Sequence, residues 1–118
     1  MKSTYDIGAE GEEIAVKFLL SKQYRIVERN FHFGKLGEID IIAYDQDELV
    51  FLEVKYSKNL KYGFPESRIT TQKKRKLRKA AEGWMMKNDV YDQPCRIDVI
   101  AILNQNGKQD IKHFINAI

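Results

Sequence analysis

This 118-residue chain holds one cysteine, one tryptophan and two histidines. Cys95, being alone, cannot close an internal disulfide, which suits a reducing compartment. No histidine stands near it in sequence to activate it, so a small buried side chain is expected there rather than a nucleophile. His32, His113 and Cys95 are too few soft ligands for a typical zinc centre. No apolar run nears the ~20 residues of a membrane helix, and the longest, Val99 to Leu103, has the length of a strand. The opening residues, Met1 to Asp6, carry no apolar export signal, so a cytoplasmic protein without a membrane partner is expected. A glycine-rich phosphate loop, internal repeats and low-complexity tracts are also missing.

What remains is a composition of 43% hydrophobic and 31% charged residues, which suits one globular domain spanning residues 1–118. The net charge is only +3, yet its distribution is uneven. Between Gln72 and Lys79 stand Lys73, Lys74, Arg75, Lys76, Arg78 and Lys79, with no acid among them. Outside those six, 14 basic residues face 17 acidic ones. A concentrated basic helix is an electrostatic footprint for a polyanion, and solvated helix faces usually interleave the two signs. Nucleic acid is therefore the expected partner, bound through its phosphates. Lys58, Lys61 and Tyr62, in the polar stretch after Tyr56, are further candidates for a phosphate or a base.

The most informative stretch is Gly37 to Tyr56, where two β-like runs flank the polar turn Asp45-Gln46-Asp47-Glu48. Side chains alternate along a strand, so Glu38, Asp40 and Ile42 share one face and Phe51, Glu53 and Lys55 share another. A turn centred between Gln46 and Asp47 pairs Ile42 with Phe51, Asp40 with Glu53, and Glu38 with Lys55. Asp40 and Glu53 would then sit with Cβ atoms roughly 4.5–5.5 Å apart, a destabilising placement for like charges. Either one carboxyl keeps a proton or a cation lies between them. Lys55 supplies one positive charge, and a hard divalent cation such as Mg²⁺ (or Mn²⁺) would supply more. A plain solvated ladder is the alternative. Apolar residues on both faces of both runs count against it.

The rest of the chain falls into order around that hairpin. Residues 6–21 read as a helix, with Ser3, Thr4 or Asp6 as N-cap and Ile7, Ile14, Ala15, Phe18 and Leu19 as its apolar stripe. Gly8, Gly11 and Ala15 form a small-residue strip that allows close approach to a sheet or to nucleic acid. Glu12 lies on that strip; its own position suggests an ordinary first-turn acid. A strand follows over residues 24–32. A second helix begins at Thr70 or Thr71 and ends near Lys87, burying Leu77, Ala80, Ala81, Trp84 and Met85. Arg96 to Leu103 reads as a central strand carrying one odd acid, Asp98, which either pairs with Arg96 or supports the site from behind. Residues 109–115 read as an edge strand.

Four segments, in order, carry a family resemblance: Gly8-Ala9-Glu10-Gly11-Glu12, Gly37-Glu38-Ile39-Asp40-Ile41-Ile42, Phe51-Leu52-Glu53-Val54-Lys55 and Arg96-Ile97-Asp98-Val99. Asp40 followed by Glu53-Val54-Lys55 resembles the D…(D/E)-x-K signature of the PD-(D/E)xK nuclease superfamily, with Ile39 where that name has proline. More narrowly, the chain resembles the YraN-like family, which is similar to archaeal Holliday-junction resolvases. The resemblance implies an α/β, restriction-endonuclease-like αβββαβ core with a mixed central sheet flanked by helices. It implies Mg²⁺- or Mn²⁺-dependent hydrolysis of DNA, branched or junction DNA included, and a homodimer. By the same resemblance Asp40, Glu53, the Val54 carbonyl and Glu12 hold the metal, while Lys55 orients water or balances charge. Glu38 and, where it is not taken up by Arg96, Asp98 are expected behind them. A nucleic-acid-binding module with this fold and no cutting activity is the alternative.

Overall fold

Two alternating sets of apolar side chains explain why this chain folds as a sheet covered on both faces. In the computed structural model, which describes residues 4–118, helix α1 spans Thr4–Ser21 and strands β1, β2 and β3 span Arg25–Phe33, Gly37–Asp45 and Glu48–Ser57. Helix α2 follows over Thr71–Lys87, then β4 over Cys95–Gln105 and β5 over Lys108–Phe114. The N-cap expected at Ser3, Thr4 or Asp6 lies outside the described residues and side chains. The five strands lie in sequence order, β1-β2-β3-β4-β5, with neighbours antiparallel except for β3 and β4. That one parallel pair needs a crossover, and α2 supplies it. The protein is a mixed α/β fold with a five-stranded mixed sheet and two helices.

Each helix covers one face. Ala15 and Leu19 of α1 pack on Ile41, Ala43, Val50, Leu52, Ile100 and Ile102. Leu77, Ala80, Ala81 and Trp84 of α2 pack on Phe31, Ile39, Ile42, Leu49 and Phe51. Thr70 caps α2 as expected, its hydroxyl accepting the Lys73 N–H at 3.2 Å. The Trp84 ring meets Phe51 edge-on at 5.8 Å, and its Nε1–H donates to Glu28. Gly11 brings α1 flush against β3, because a Cβ there would lie 2.6 Å from the Cβ of Tyr56. The small-residue strip thus serves contact with the sheet at Gly11, whereas Gly8 faces open space. No described helix is long and apolar enough to cross a membrane.

One expectation is corrected: Cys95 is exposed rather than buried, because it is the first residue of β4, at the strand's open end. The polar stretch after β3 is loop over residues 58–64, and Pro65–Arg68 then forms one turn of 3-10 helix with Pro65 fully buried. Arg68 ties that turn back to β3 through the Tyr56 carbonyl and the Ser57 hydroxyl.

Candidate functional site

The hairpin pairs as its sequence demands, but only part of the way. Tyr44 meets Leu49, Ile42 meets Phe51 and Ile41 meets Leu52. The next pairs, Asp40 with Glu53 and Glu38 with Lys55, do not form in the ladder. There β3 is paired on its other side, Glu53 with Val99 and Lys55 with Ala101, while β2 turns to β1, Ile39 with Phe31 and Glu38 with His32. The two strands part, and Asp40 Oδ2 accepts the Val54 N–H at 2.8 Å in place of a backbone carbonyl. A side chain thereby satisfies a donor that the parted ladder leaves over.

The two acids remain neighbours in the opened wedge. Burial and then the charge of Glu53 push the Asp40 carboxyl up to about 7, although the Val54 N–H pulls the other way. Burial likewise raises Glu53, against the pull of Lys55, whose Nζ lies 3.3 Å from Glu53 Oε1. Both side chains of that ion pair are largely buried, at 14% and 13% exposed. The expected conflict of like charges is therefore present, displaced by one residue from the regular ladder.

A stability consequence follows. Folded Asp40 keeps its proton up to about pH 7, whereas an aspartate in the unfolded chain loses it near its ordinary value of 3.8. Between those limits the native state binds more protons, so metal-free stability falls as pH rises from about 4 to 7. Urea denaturation in chelator at pH 5 and pH 8 should show a wild-type loss exceeding that of Asp40→Asn by on the order of 2–4 kcal/mol. Equal losses in the two proteins would disprove the shift.

Glu12 lines the same cleft, with Gly8, Arg29, Asn30, Asp40 and Glu53 among its neighbours. Its Oε1 accepts from Arg29 Nε at 2.9 Å and from Asn30 Nδ2 at 3.1 Å. Among the described residues, no three His, Cys, Asp or Glu side chains converge tightly enough to hold a metal by themselves. Arg29, which also binds Glu13 at 2.6 Å, went unmarked in the sequence, where nothing separates it from any strand arginine. Glu38 stands at the rim, exposed, 3.2 Å from His32.

A family model described as "Uncharacterised protein family UPF0102" matches residues 11–102. The chain belongs to this family. A UPF0102 protein of Pelobacter propionicus is 46% identical over 113 residues, covering 93% of this chain and 80% of that one. Another, from Clostridioides difficile, is 40% identical over 110 residues, covering 93% and 94%. A third, from Syntrophomonas wolfei, is 38% identical over 112 residues, covering 95% and 96%. The matched span of this UPF0102 chain takes in the whole wedge, from Glu12 through Asp40 and Glu53 to the basic part of α2.

The basic residues separate once placed in three dimensions. Lys73 and Lys76 line a hollow shared with Lys55 and Glu53. Lys74 instead borders a groove with Glu66, Ile69 and His113, and Arg75, Arg78 and Lys79 are exposed. Lys58 pairs with Glu10 at 3.6 Å, and Lys61 lies over the Tyr62 ring at 5.5 Å. In this UPF0102 fold Asp98 does not support the wedge. It is fully buried on the α1 side, where Arg96 Nε, His113 Nε2 and the Asn116 N–H all bond to it. Arg96 extends this second cluster to Tyr24, Asp45 and Glu48. Despite opposing burial, those bonds hold the Asp98 carboxyl below its ordinary range, the His113 bond first. None of these partners lines the wedge.

Proposed function

We propose that this UPF0102 protein is a metal-dependent endonuclease of the PD-(D/E)xK type, cytoplasmic, hydrolysing phosphodiester bonds of DNA, with branched or junction DNA as its substrate class. One observation carries the reading. Two largely buried carboxyls, Asp40 and Glu53, are raised by burial and Asp40 further by the charge of Glu53, with Lys55 alongside, where β2 and β3 part. Nothing in the core requires two such acids together, since the residues these strands bury in the core are apolar. The element order α1, β1, β2, β3, α2, β4 supports a restriction-endonuclease-like core, and the basic face of α2 supports nucleic acid as partner.

The donors fit a hard cation. Mg²⁺ is commonly held by one or two carboxylates, its remaining positions filled by water and substrate phosphate. Asp40, Glu53 and the Val54 carbonyl would hold it, with Glu12, whose Oε1 already accepts from Arg29 and Asn30, contributing directly or through water. When bound, such an ion lowers the pKa of water and stabilises charge on the phosphate. The protein's own part is positional. Val54 fixes Asp40 by its N–H, and Lys55 fixes Glu53 by an ion pair. Lys55 then balances the negative charge that builds on the phosphate.

The test is a cleavage panel in Mg²⁺ and in Mn²⁺ over four-way junctions, flaps, linear duplex and single strands. Cleavage of branched DNA ahead of linear duplex is expected, abolished by chelator. Binding without cleavage on every substrate, with no metal uptake by calorimetry, would instead make the protein a non-catalytic binding module.

A further inference from the structure

The wedge has two mouths, and only one is acidic. On the α2 side, Lys35 from the β1–β2 turn, Lys55 from β3 and Lys73 and Lys76 from α2 line a cleft of about 330 Å³. Two acids, Glu53 and Glu38, share it with these four lysines. His32 and Glu53 line this cleft and the carboxylate cleft alike, so the two are adjacent. Lys73 and Lys76 stand three residues apart on α2, the spacing that brings helical side chains onto one face.

The crowding of positive charge is specific. The neighbouring Lys55, and then burial, hold the Lys73 amine below the ordinary lysine range. Glu53 partners Lys55 at 3.3 Å, and Glu38 partners His32 at 3.2 Å. Lys73 forms no ion pair among the described residues. Positive charges gathered in one cleft repel one another unless a counter-charge arrives. Among the described residues Lys35, Lys73 and Lys76 therefore have no ion pair of their own, since the two acids of this cleft, Glu53 and Glu38, already meet Lys55 and His32.

We propose that the lysine cleft is a phosphate subsite: Lys73, with Lys76 and Lys35, holds a phosphate of the bound strand next to the one at the carboxylate pair. This rests on the nuclease reading for its neighbour but not for its own binding chemistry. Ammonium groups meet phosphate oxygens as point charges and read no sequence, so the subsite sets where along a strand the acids fall. It also divides the six basic residues of α2 by role. Lys73 and Lys76 grip the strand beside the reacting centre, while Lys74, Arg75, Arg78 and Lys79 line neither cleft.

Metal-free binding tests this apart from catalysis. Fluorescence anisotropy in chelator would follow a labelled single-stranded oligonucleotide binding to wild type, to Lys73→Gln/Lys76→Gln and to Lys17→Gln/Lys108→Gln. The last pair removes the same charge from exposed sites elsewhere. Loss of the cleft lysines should weaken binding about 10-fold and make the log–log salt slope shallower by about 1.4, or ~0.7 per phosphate contact. The control pair should leave the slope unchanged, and all three proteins should melt alike, because the substituted lysines are exposed. Repeating the titration with 5′-phosphorylated and 5′-hydroxyl strands separates two sources of the anion. Equal losses mean an internal diester, and a loss confined to the phosphorylated strand means a terminal phosphate. Identical behaviour of the cleft and control variants would overturn the subsite. A protein that cuts nothing yet loses metal-free binding with the cleft lysines keeps the subsite and discards the nuclease. Cleavage with unaltered slopes does the reverse.

Discussion

Asp40→Asn is expected to reduce metal-dependent DNA cleavage by about 10³-fold or more while the protein still folds and still binds DNA. The size follows from what is removed. A metal clamp supplies several kcal/mol of charge stabilisation, and each 1.36 kcal/mol is tenfold in rate. The fold survives because an asparagine oxygen can still accept the Val54 N–H that Asp40 accepts at 2.8 Å. It should even gain stability without metal, since a raised carboxyl is replaced by a neutral amide. Binding persists because Lys55, Lys73 and Lys76 are untouched. Single-turnover cleavage with Mg²⁺, beside anisotropy in chelator, measures both halves. Wild-type cleavage by Asp40→Asn would place the chemistry elsewhere. A variant that neither cuts nor folds would be replaced by Glu53→Gln, for which the same split is expected.

The second large effect lies on β4, at the buried Asp98. Asp98→Ala should destabilise the protein by about 3–5 kcal/mol, the usual result of removing one member of a buried ion pair. Asp98 is wholly buried and answers three donors at once: Arg96, the His113 ring and the Asn116 N–H. Its loss leaves those donors short of an acceptor, and Arg96 must rely on Asp45 and Glu48 alone. Asp98→Asn, which keeps an oxygen in place, should cost less. Because the folded carboxyl sits below its ordinary range, its contribution is present above about pH 4 and fades as the pH falls through the folded value. Urea denaturation at pH 7 and pH 3 checks both statements. A cost below about 1 kcal/mol at pH 7 would show that the cluster is incidental. Cleavage per folded molecule should stay unchanged, since no partner of Asp98 lines the wedge.

Both sites show how far local pattern carries. The caps, strand alternation and helix stripes are short-range properties, so α2 begins at Thr71 behind its Thr70 cap and Ile42 faces Phe51, both as read from residue order. Asp40 and Glu53 were legible for the same reason: alternation places them on one face, and a four-residue turn brings them near. Their departure from the ladder was not legible. It depends on β1 drawing Glu38 and Ile39 away while β4 draws Glu53 and Lys55. Cys95 looked like a small core residue because composition carries no information on where a strand meets solvent. Of the two expectations for Asp98 the pair with Arg96 forms, whereas support for the acids does not, because His113 and the Asn116 N–H take up the rest of its carboxylate.

Residue order alone therefore determined which elements form, which side chains share a face, and that two acids must meet beside a lysine. Those are periodicities and turns, decided over a few residues. Only the folded chain decided which charges meet which: Glu12 with Arg29, 17 residues on, Arg96 with Asp45, 51 residues back, and Lys73 in one cleft with Lys55 across the crossover. Such pairs depend on the path of the whole backbone, because Coulomb and hydrogen-bond energies fall off within a few ångströms and take no account of separation along the chain.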